Sequence, residues 1–599
     1  MQNQTTEVLI VGGGPVGLAL AGDLGSRGVR CVLLEQTDGV IGQPKMDGIN
    51  VRTMEFCRRW GISDEVRNCG YPKEFPQDMV YLTSFNNGFE LGREEFATPS
   101  GGSEERRSGT SPETRFRCPQ NLFDPILQRF ATSFDCVRAH YRCRLVDFAE
   151  RGDQVLSVIE RVDTGERFEV TSSYLVGCDG ASSVVRKQLG IPMRGLGVLT
   201  YTTNILFRCA TLRETSSVRL GYRHLLIGPE GTWATVVAIN GRDEWRLSII
   251  GSKEKVVLSE ADVRAAIERV IGKPAEYEVI STVPWVRREL VADEWRKGRI
   301  FLAGDAVHLT SPTGGFGMNL GIADAVDLSW KLEASLRGWG GPLLLESYEP
   351  ERKPVAERAV RESSGNLLRT LSPGPNPSLL DPSYEAALLR YQVGQRFSAT
   401  MLREWYKLGI DLGYVYRDSP IVLAEDEDFD AVPAAPGRPL DPPEGYLNDG
   451  TRITASLLRE WQRLSLHLAL SNEVKPDWQE LPARKVMLYR QSARPGARAP
   501  HAWLSDGTST LDWFGIGFVL VDTGADETSR EAFLDAAHAS GVPFTLRGDP
   551  ALATLYAAPL TLVRPDGHVA WRGRPAGAAR AREIMDRARG IVPSGARRG

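Results

Sequence analysis

The chain has 599 residues, 42% apolar and 25% charged, which is the balance of a globular protein with two or three domains. Its net charge of −4 offers no clustered basic footprint for nucleic acid and nothing to favour an anionic membrane surface. None of the eight cysteines forms a CxxC pair or stands at zinc spacing from a histidine, so neither a metal site nor a disulfide framework is expected.

At the N-terminus an acidic Glu7 precedes a short β-branched run, where a secretory leader would carry positive charge. No window supplies the roughly 18 uninterrupted apolar residues of a membrane span. A cytoplasmic location is expected. The first segment alternates a strand (Val8 to Val11), a glycine turn, an amphipathic helix (about Pro15 to Arg27) and a second strand (Cys31 to Glu35). This βαβ unit predicts a parallel sheet. Residues 96–113, rich in glycine and charge, predict a solvated loop. From about 199 to 290, alternating runs such as Trp233-Ala234-Thr235-Val236-Val237 and Trp245-Arg246-Leu247-Ser248-Ile249 predict an antiparallel sheet. A long helical region follows from about Gly321 to Arg361. Proline-rich Pro433 to Pro443 is expected in a linker, and 445–599 in a separate α/β domain.

Gly12-Gly13-Gly14-Pro15-Val16-Gly17 satisfies GxGxxG between a strand and a helix. Gly12 permits the tight turn, Gly14 lets backbone approach a pyrophosphate, and Gly17 lets helix and strand pack closely. The helix N-terminus then offers N–H groups and a dipole to phosphates, with Glu35 closing the second strand as an acceptor for ribose hydroxyls. The bland reading is an ordinary βα turn. The motif alone does not choose between FAD and a nicotinamide.

Two later motifs make that choice. One is Gly177-Cys178-Asp179-Gly180-Ala181 after the strand Tyr174 to Val176. The other is Gly304-Asp305-Ala306-Val307-His308 after Ile300 to Ala303, continuing as Pro312-Thr313-Gly314-Gly315-Phe316-Gly317-Met318-Asn319. In order and spacing, residues 7–360 resemble the single-component, class A FAD-dependent aromatic hydroxylases, in which these are the DG and GD motifs. With the C-terminal segments Gly496 to His501 and Leu562 to Arg572, the chain resembles phenol hydroxylases that carry a thioredoxin-like domain.

The resemblance implies an α/β fold with three parts. A Rossmann-like FAD-binding domain would take residues 1–75, 114–190 and 290–400. An antiparallel-sheet substrate domain would take 76–113 and 191–289, and a linker (401–444) would lead to a thioredoxin-like domain (445–599). The last cysteine is Cys209, so that domain lacks dithiol chemistry. The implied reaction is hydroxylation of a phenolic or similar aromatic, using FAD, NADPH or NADH, and O2, through a flavin C4a-hydroperoxide. A homodimer is also implied.

Carried over residue by residue, cofactor contacts fall on Gly12, Gly14, Pro15, Val16, Gly17, Glu35, Gln36, Arg52, Gln120, Asp179, Gly180, Gly304, Asp305, Pro312, Gly315, Gly317, Met318 and Asn319. Taken alone, Asp179 could be a helix N-cap; in the context of the motif the cofactor contact is the expectation. His308 reads as a structural histidine beside the cofactor phosphates. Asp47, in Asp47-Gly48-Ile49-Asn50, matches the segment bearing the catalytic aspartate of phenol hydroxylases, and the Pro312 carbonyl is expected beside the substrate.

Full proton transfer from a phenol near 10 to an aspartate near 4 would cost roughly 8 kcal/mol. A hydrogen-bonding role for Asp47 therefore stands beside outright deprotonation. The arginine and tyrosine that phenol hydroxylases place on a substrate-domain strand are missing from Trp233 to Ile239. Candidate wall residues are Tyr222, Arg223, His224, Trp233 and Trp245, and Phe316 is expected to alter the flavin environment. Simple phenols, phenylpropionates and polycyclic precursors all remain open as substrates. Competing readings are a flavin-dependent halogenase, which needs a Trp-x-Trp segment that does not occur, a disulfide reductase, and a flavin-binding sensor without turnover.

Overall fold

The computed structural model describes residues 4–96, 98, 109–371, 374–425, 486–574 and 577–591, with a short strand pair at 445–446 and 452–453. Val8, Leu9 and Ile10 are fully buried, and an unbroken apolar run of this kind belongs in the middle of a parallel sheet. The Gln4–Val11 strand indeed lies between Arg167–Gly177 and Cys31–Glu35, parallel to both; Val137–Tyr141 extends one side and Ile300–Leu302 the other. The first helix, Pro15–Ser26, packs on this sheet and on the Gly317–Leu336 helix.

A second eight-stranded sheet is antiparallel apart from one parallel pair. In order it holds His308–Leu309, Glu278–Ala292, Met193–Arg208, Glu244–Ile250, Gly231–Ala238, Arg223–Gly228, Met79–Leu82 and Glu90–Glu94. One face buries Phe207, Val236 and Leu247 against the Glu260–Ile271 helix, which Ser259 and Asp262 cap reciprocally. The other face carries polar side chains at its centre.

The expected long helix from Gly321 to Arg361 is broken. Gly317–Leu336 ends at Gly338 (φ +77°), a short Pro342–Glu346 turn follows, and Tyr348–Leu371 begins again. Gly338, Gly340 and Gly341 permit the reversal. Of the expected solvated loop, residues 97 and 99–108 lie outside the described residues. Its far end is buried, with Ser111 Oγ donating to Glu55 at 2.6 Å. The expected linker also differs. The Tyr384–Trp405 helix runs past residue 400, and Leu408, Ile410, Tyr414, Tyr416 and Ile421 are all buried; Pro433 to Pro443 lie outside the described residues.

The C-terminal part is a four-stranded mixed sheet (Phe544–Gly548, Phe518–Asp522, Leu560–Val563, Val569–Gly573) with the Glu527–Ala539 and Ala578–Ala588 helices. It shares its core with the first part: Phe518 packs edge-on against Trp330, and Trp339 and Leu344 join the same cluster. Beside them lies a buried ionic cluster. Arg564 donates to Glu351 (2.6 and 2.9 Å), Asp327 (3.1 Å) and Asp566 (2.6 Å), while Lys331 reaches Asp327 (2.7 Å) and Glu351 (2.6 Å). Removing one partner of such a network leaves uncompensated buried charge. Arg564→Met is expected to lower unfolding free energy by about 3–5 kcal/mol, read by denaturant titration. A loss under about 1 kcal/mol would show that the cluster is not a junction of the fold.

Candidate active site

Three turns that are distant in sequence meet at the C-terminal edge of the parallel sheet. Gly12 has φ +110°, and a Cβ there would stand 2.3 Å from the Cys178 carbonyl oxygen. Val16 Cγ2 lies where a Cβ on Gly321 (2.5 Å) or Gly304 (2.9 Å) would have to go. The DG and GD turns are thus seated on the first turn and its helix by backbone contacts that admit no side chain. Around Gly14, Gly180 and Gly315, in contrast, a Cβ would meet nothing within 4 Å, so the cradle is open along a line of bare backbone.

The polar groups along this line suit a dinucleotide. Glu35 Oε2 accepts from Gly13 N at 2.8 Å and its other oxygen from Thr37 N, while Gln36 is exposed beyond the strand end. Pro15 opens the first helix, whose free N–H groups are a phosphate site by geometry. Asp305 is exposed beside Gly317. Lys45, which sequence reasoning missed, acts electrostatically on both Asp305 and Asp124.

Behind the GD turn, fully buried Asp324 accepts from Gly304 N (3.2 Å), His308 Nε2 (2.9 Å) and Arg352 Nε (2.8 Å). His308 is therefore a structural tie. Asn319 is a staple: its Oδ1 accepts from Asn50 N (3.0 Å), and its Nδ2 donates to Gly48 O and Gly315 O. Met318 packs partly buried against the first core.

Several expected roles are placed differently. Arg52 donates to Glu55 (2.8 Å) and to the Asp566 carbonyl (2.9 Å), so its side chain joins this helix to the C-terminal part. Gln120 spends both ends internally, accepting from Lys45 N (3.1 Å) and donating to Asp124 (3.0 Å). Asp179 Oδ2 caps the short Val184–Gln188 helix through Val184 N and Val185 N; its Oδ1 is buried without a partner among the described residues. The Pro312 carbonyl accepts from Gly315 N at 3.0 Å and is committed to the turn. Phe316 is buried away from the cradle, with Leu320, Val355 and Tyr416.

The glycine-rich loop is instead held by residues from the segment expected to be a linker. Glu404 Oε1 accepts from Gly314 N (3.0 Å), Lys407 Nζ donates to Gly314 O, and Asp411 accepts from Asn50 Nδ2 (3.0 Å). They lie at the end of the Tyr384–Trp405 helix, in the break after it and in the short Leu408–Asp411 helix, so their convergence on one loop is set by folding and not by a periodic pattern.

Asp47 sits between two guanidiniums, Arg246 Nη2 at 3.4 Å and Arg117 Nη1 at 3.6 Å, and hydrogen-bonds the buried Tyr222. The Arg117 guanidinium lies 3.3 Å over the Tyr222 ring. An arginine and a tyrosine do therefore accompany Asp47, but from the Glu244–Ile250 strand and the turn before Arg223–Gly228. Of the candidate wall residues, Tyr222 and Arg223 face this site. His224, Trp233 and Trp245 face the opposite side: His224 stacks edge-on against Phe85, where burial pushes its imidazole down to about 3, and Trp233 lies under Arg269.

A family described as FAD binding domain matches residues 5–363, and one described as aromatic-ring hydroxylase, C-terminal, matches residues 492–591. The FAD-dependent monooxygenase apdD of Emericella nidulans is 30% identical over 97% of this chain and 89% of its own. Among solved structures, chromopyrrolic acid-soaked RebC with bound 7-carboxy-K252c matches with TM-score 0.82 at 36% identity, covering 98% of this chain and 100% of that one. The flavin-dependent monooxygenase PieE, in complex with FAD and substrate, matches with TM-score 0.80 at 28% identity, covering 98% and 100%.

Burial pushes the Asp124 carboxyl up to about 7, against the opposing effects of Gln120 and Lys45. A raised carboxyl makes the folded state hold its proton more tightly, so stability falls as pH rises from about 4 to about 7. Asp124→Asn cannot ionise. Its thermal midpoint, compared with wild type in the FAD-free protein, is expected to gain steadily across that window and level off above it. A difference that does not change with pH would refute this assignment.

Proposed function

This chain belongs to the FAD-dependent aromatic-ring hydroxylases, and on that premise we propose that it oxygenates an aromatic small molecule held between the glycine-rich loop and the polar face of the second sheet. Electrons would come from NADPH or NADH and oxygen from O2. The observation that carries this reading is the open backbone at Gly14, Gly180 and Gly315, with Asn319 tying Gly315 to Gly48, the residue that follows Asp47.

FAD would lie with its phosphates at the Pro15–Ser26 helix N-terminus, its hydroxyls near Glu35 and Asp305, and its ring system against Gly315 and Gly317. When bound, it supplies the redox chemistry between nicotinamide and oxygen. The protein's own work is positional. Glu404, Lys407 and Asn319 hold the loop on which the ring system rests. Asp47, itself aligned by Arg246, Arg117 and Tyr222, would accept the hydrogen bond of a ring hydroxyl and leave the ring more electron-rich.

The C-terminal part is thioredoxin-like in outline but has no cysteine, and it acts through packing. A sensor without turnover is not favoured, since relatives over nearly the whole chain are monooxygenases. In single-turnover oxidation of FAD-loaded protein, Asp47→Asn is expected to slow product formation about a hundredfold with unchanged FAD content. An unchanged rate at every pH would remove Asp47 from the chemistry, and a colourless protein that takes up no FAD would remove the reading itself.

A further inference from the structure

The second sheet presents more positive charge to the site than the site neutralises. Register places Arg223, Val237, Arg246 and Leu206 in one row across adjacent strands. Arg287 pairs with Thr200, and residues 200, 202, 204 and 206 of that strand share a face, so all three arginines point the same way. Two of them are spent. Arg223 donates to Glu404 (2.5 Å), and Arg246 donates to the Pro44 carbonyl (2.8 Å) and meets Asp47. Both arginines thereby meet residues that border the cradle, since Glu404 at the end of its helix holds Gly314 and Asp47 precedes Gly48, which Asn319 ties to Gly315, so this row is the floor of the same site.

Arg287 is not spent. It is 3% exposed, and its Nε donates to Thr202 Oγ1 at 3.0 Å. Its Nη1 is buried with no partner among the described residues, and so is Thr200 Oγ1 on the paired residue. Among the described residues no carboxylate forms an ion pair with it. Burial, with Arg223 and Arg246 as like-charged neighbours and Glu404 opposing them, pushes its guanidinium down to about 10, so it remains a cation at neutral pH. A buried cation without a counter-ion is strongly unfavourable, and a planar guanidinium edge beside a hydroxyl is matched by a bidentate carboxylate.

We propose that Arg287, with Thr200, is the anchor for a carboxylate on the substrate, so that the enzyme acts on an aromatic acid and not on a neutral arene. This deepens the hydroxylase reading and rests on it. Arg287 lies on the Glu278–Ala292 strand and Arg246, which meets Asp47, two strands away on Glu244–Ile250, so a carboxylate at the first and a ring hydroxyl at the second would fix an aromatic acid by two polar groups.

The test is calorimetric titration of the FAD-loaded protein with 1-naphthoate and its neutral isostere 1-naphthamide. Naphthoate is expected to bind at least tenfold more tightly. In Arg287→Met the two affinities should converge, with FAD content and naphthamide affinity retained. Arg287→Lys, which keeps the charge without the fork, covers the case in which the methionine variant does not fold, and should lower the ratio several-fold. Equal affinities in the wild type, or a preference that survives either substitution in full, would overturn the proposal. If the preference and its dependence on Arg287 hold but no aromatic acid or phenol stimulates nicotinamide oxidation, the hydroxylase reading fails and the anion anchor stands. If neutral phenols stimulate oxidation while naphthoate shows no preference, the anchor fails and the hydroxylase reading stands.

Discussion

The contact of Val16 with Gly304 and Gly321, together with that of Gly12 and Cys178, is the constraint from which the site follows. At each of them a Cβ on the glycine would collide with the facing segment. Gly12 meets the Cys178 backbone directly, and at Gly304 and Gly321 the space is filled by the short, stiff Val16 side chain, so the relative positions of the three turns are set by backbone geometry and core packing. The Gly317–Leu336 helix carries this rigidity onward, since its Asp324 holds Gly304, His308 and Arg352 at once. The cradle is preorganised by the same packing that builds the core, which is what a site needs if its geometry is to hold during reaction.

The segment from Glu404 to Ile421 gives the C-terminal part its hold on this centre. Glu404 and Lys407 grip Gly314 from both sides of its peptide, while the Tyr416 hydroxyl accepts from Arg352 Nη1 (3.2 Å) and its ring packs against His568. The buried cluster around Arg564 then fastens the C-terminal sheet to the helices that carry Asp327 and Glu351. Ionic burial of this extent is a poor source of net stability but a strong selector of one arrangement, because each misplaced partner strands a charge. Arg52 and Arg498 repeat the device around Glu55, whose carboxyl is held at about 2 by those guanidiniums against the opposing effect of burial.

The second sheet divides its two faces by chemistry. One is apolar and rests on the Glu260–Ile271 helix. The other carries arginine, serine, threonine and asparagine into an interior where every polar atom needs a partner. Most find one inside the protein. The buried guanidinium edge of Arg287 does not, and it sets the electrical character of the space above the sheet.

Features that were legible in advance share one property: they are contiguous. The glycine turn, the DG and GD motifs, the strand and helix around them and the Asp47 turn each encode local backbone geometry within about ten residues, and local geometry is what a short stretch of sequence specifies. The partners of Arg52, the burial of Phe316 and the packing of residues 401–425 depend on segments up to about five hundred residues away. In the strand from Arg223, neighbouring residues part company: Arg223 faces the site and His224 the core. Alternation alone demands that split, yet a one-residue slip would exchange the two. By itself the sequence determined the cofactor class and the reaction class, because both lie in turns whose shape is local. Only the tertiary structure decided which face of the sheet is apolar core and which carries the arginines, and which arginine is left without an ion-pair partner among the described residues, because pairing register and burial are properties of segments brought together by folding.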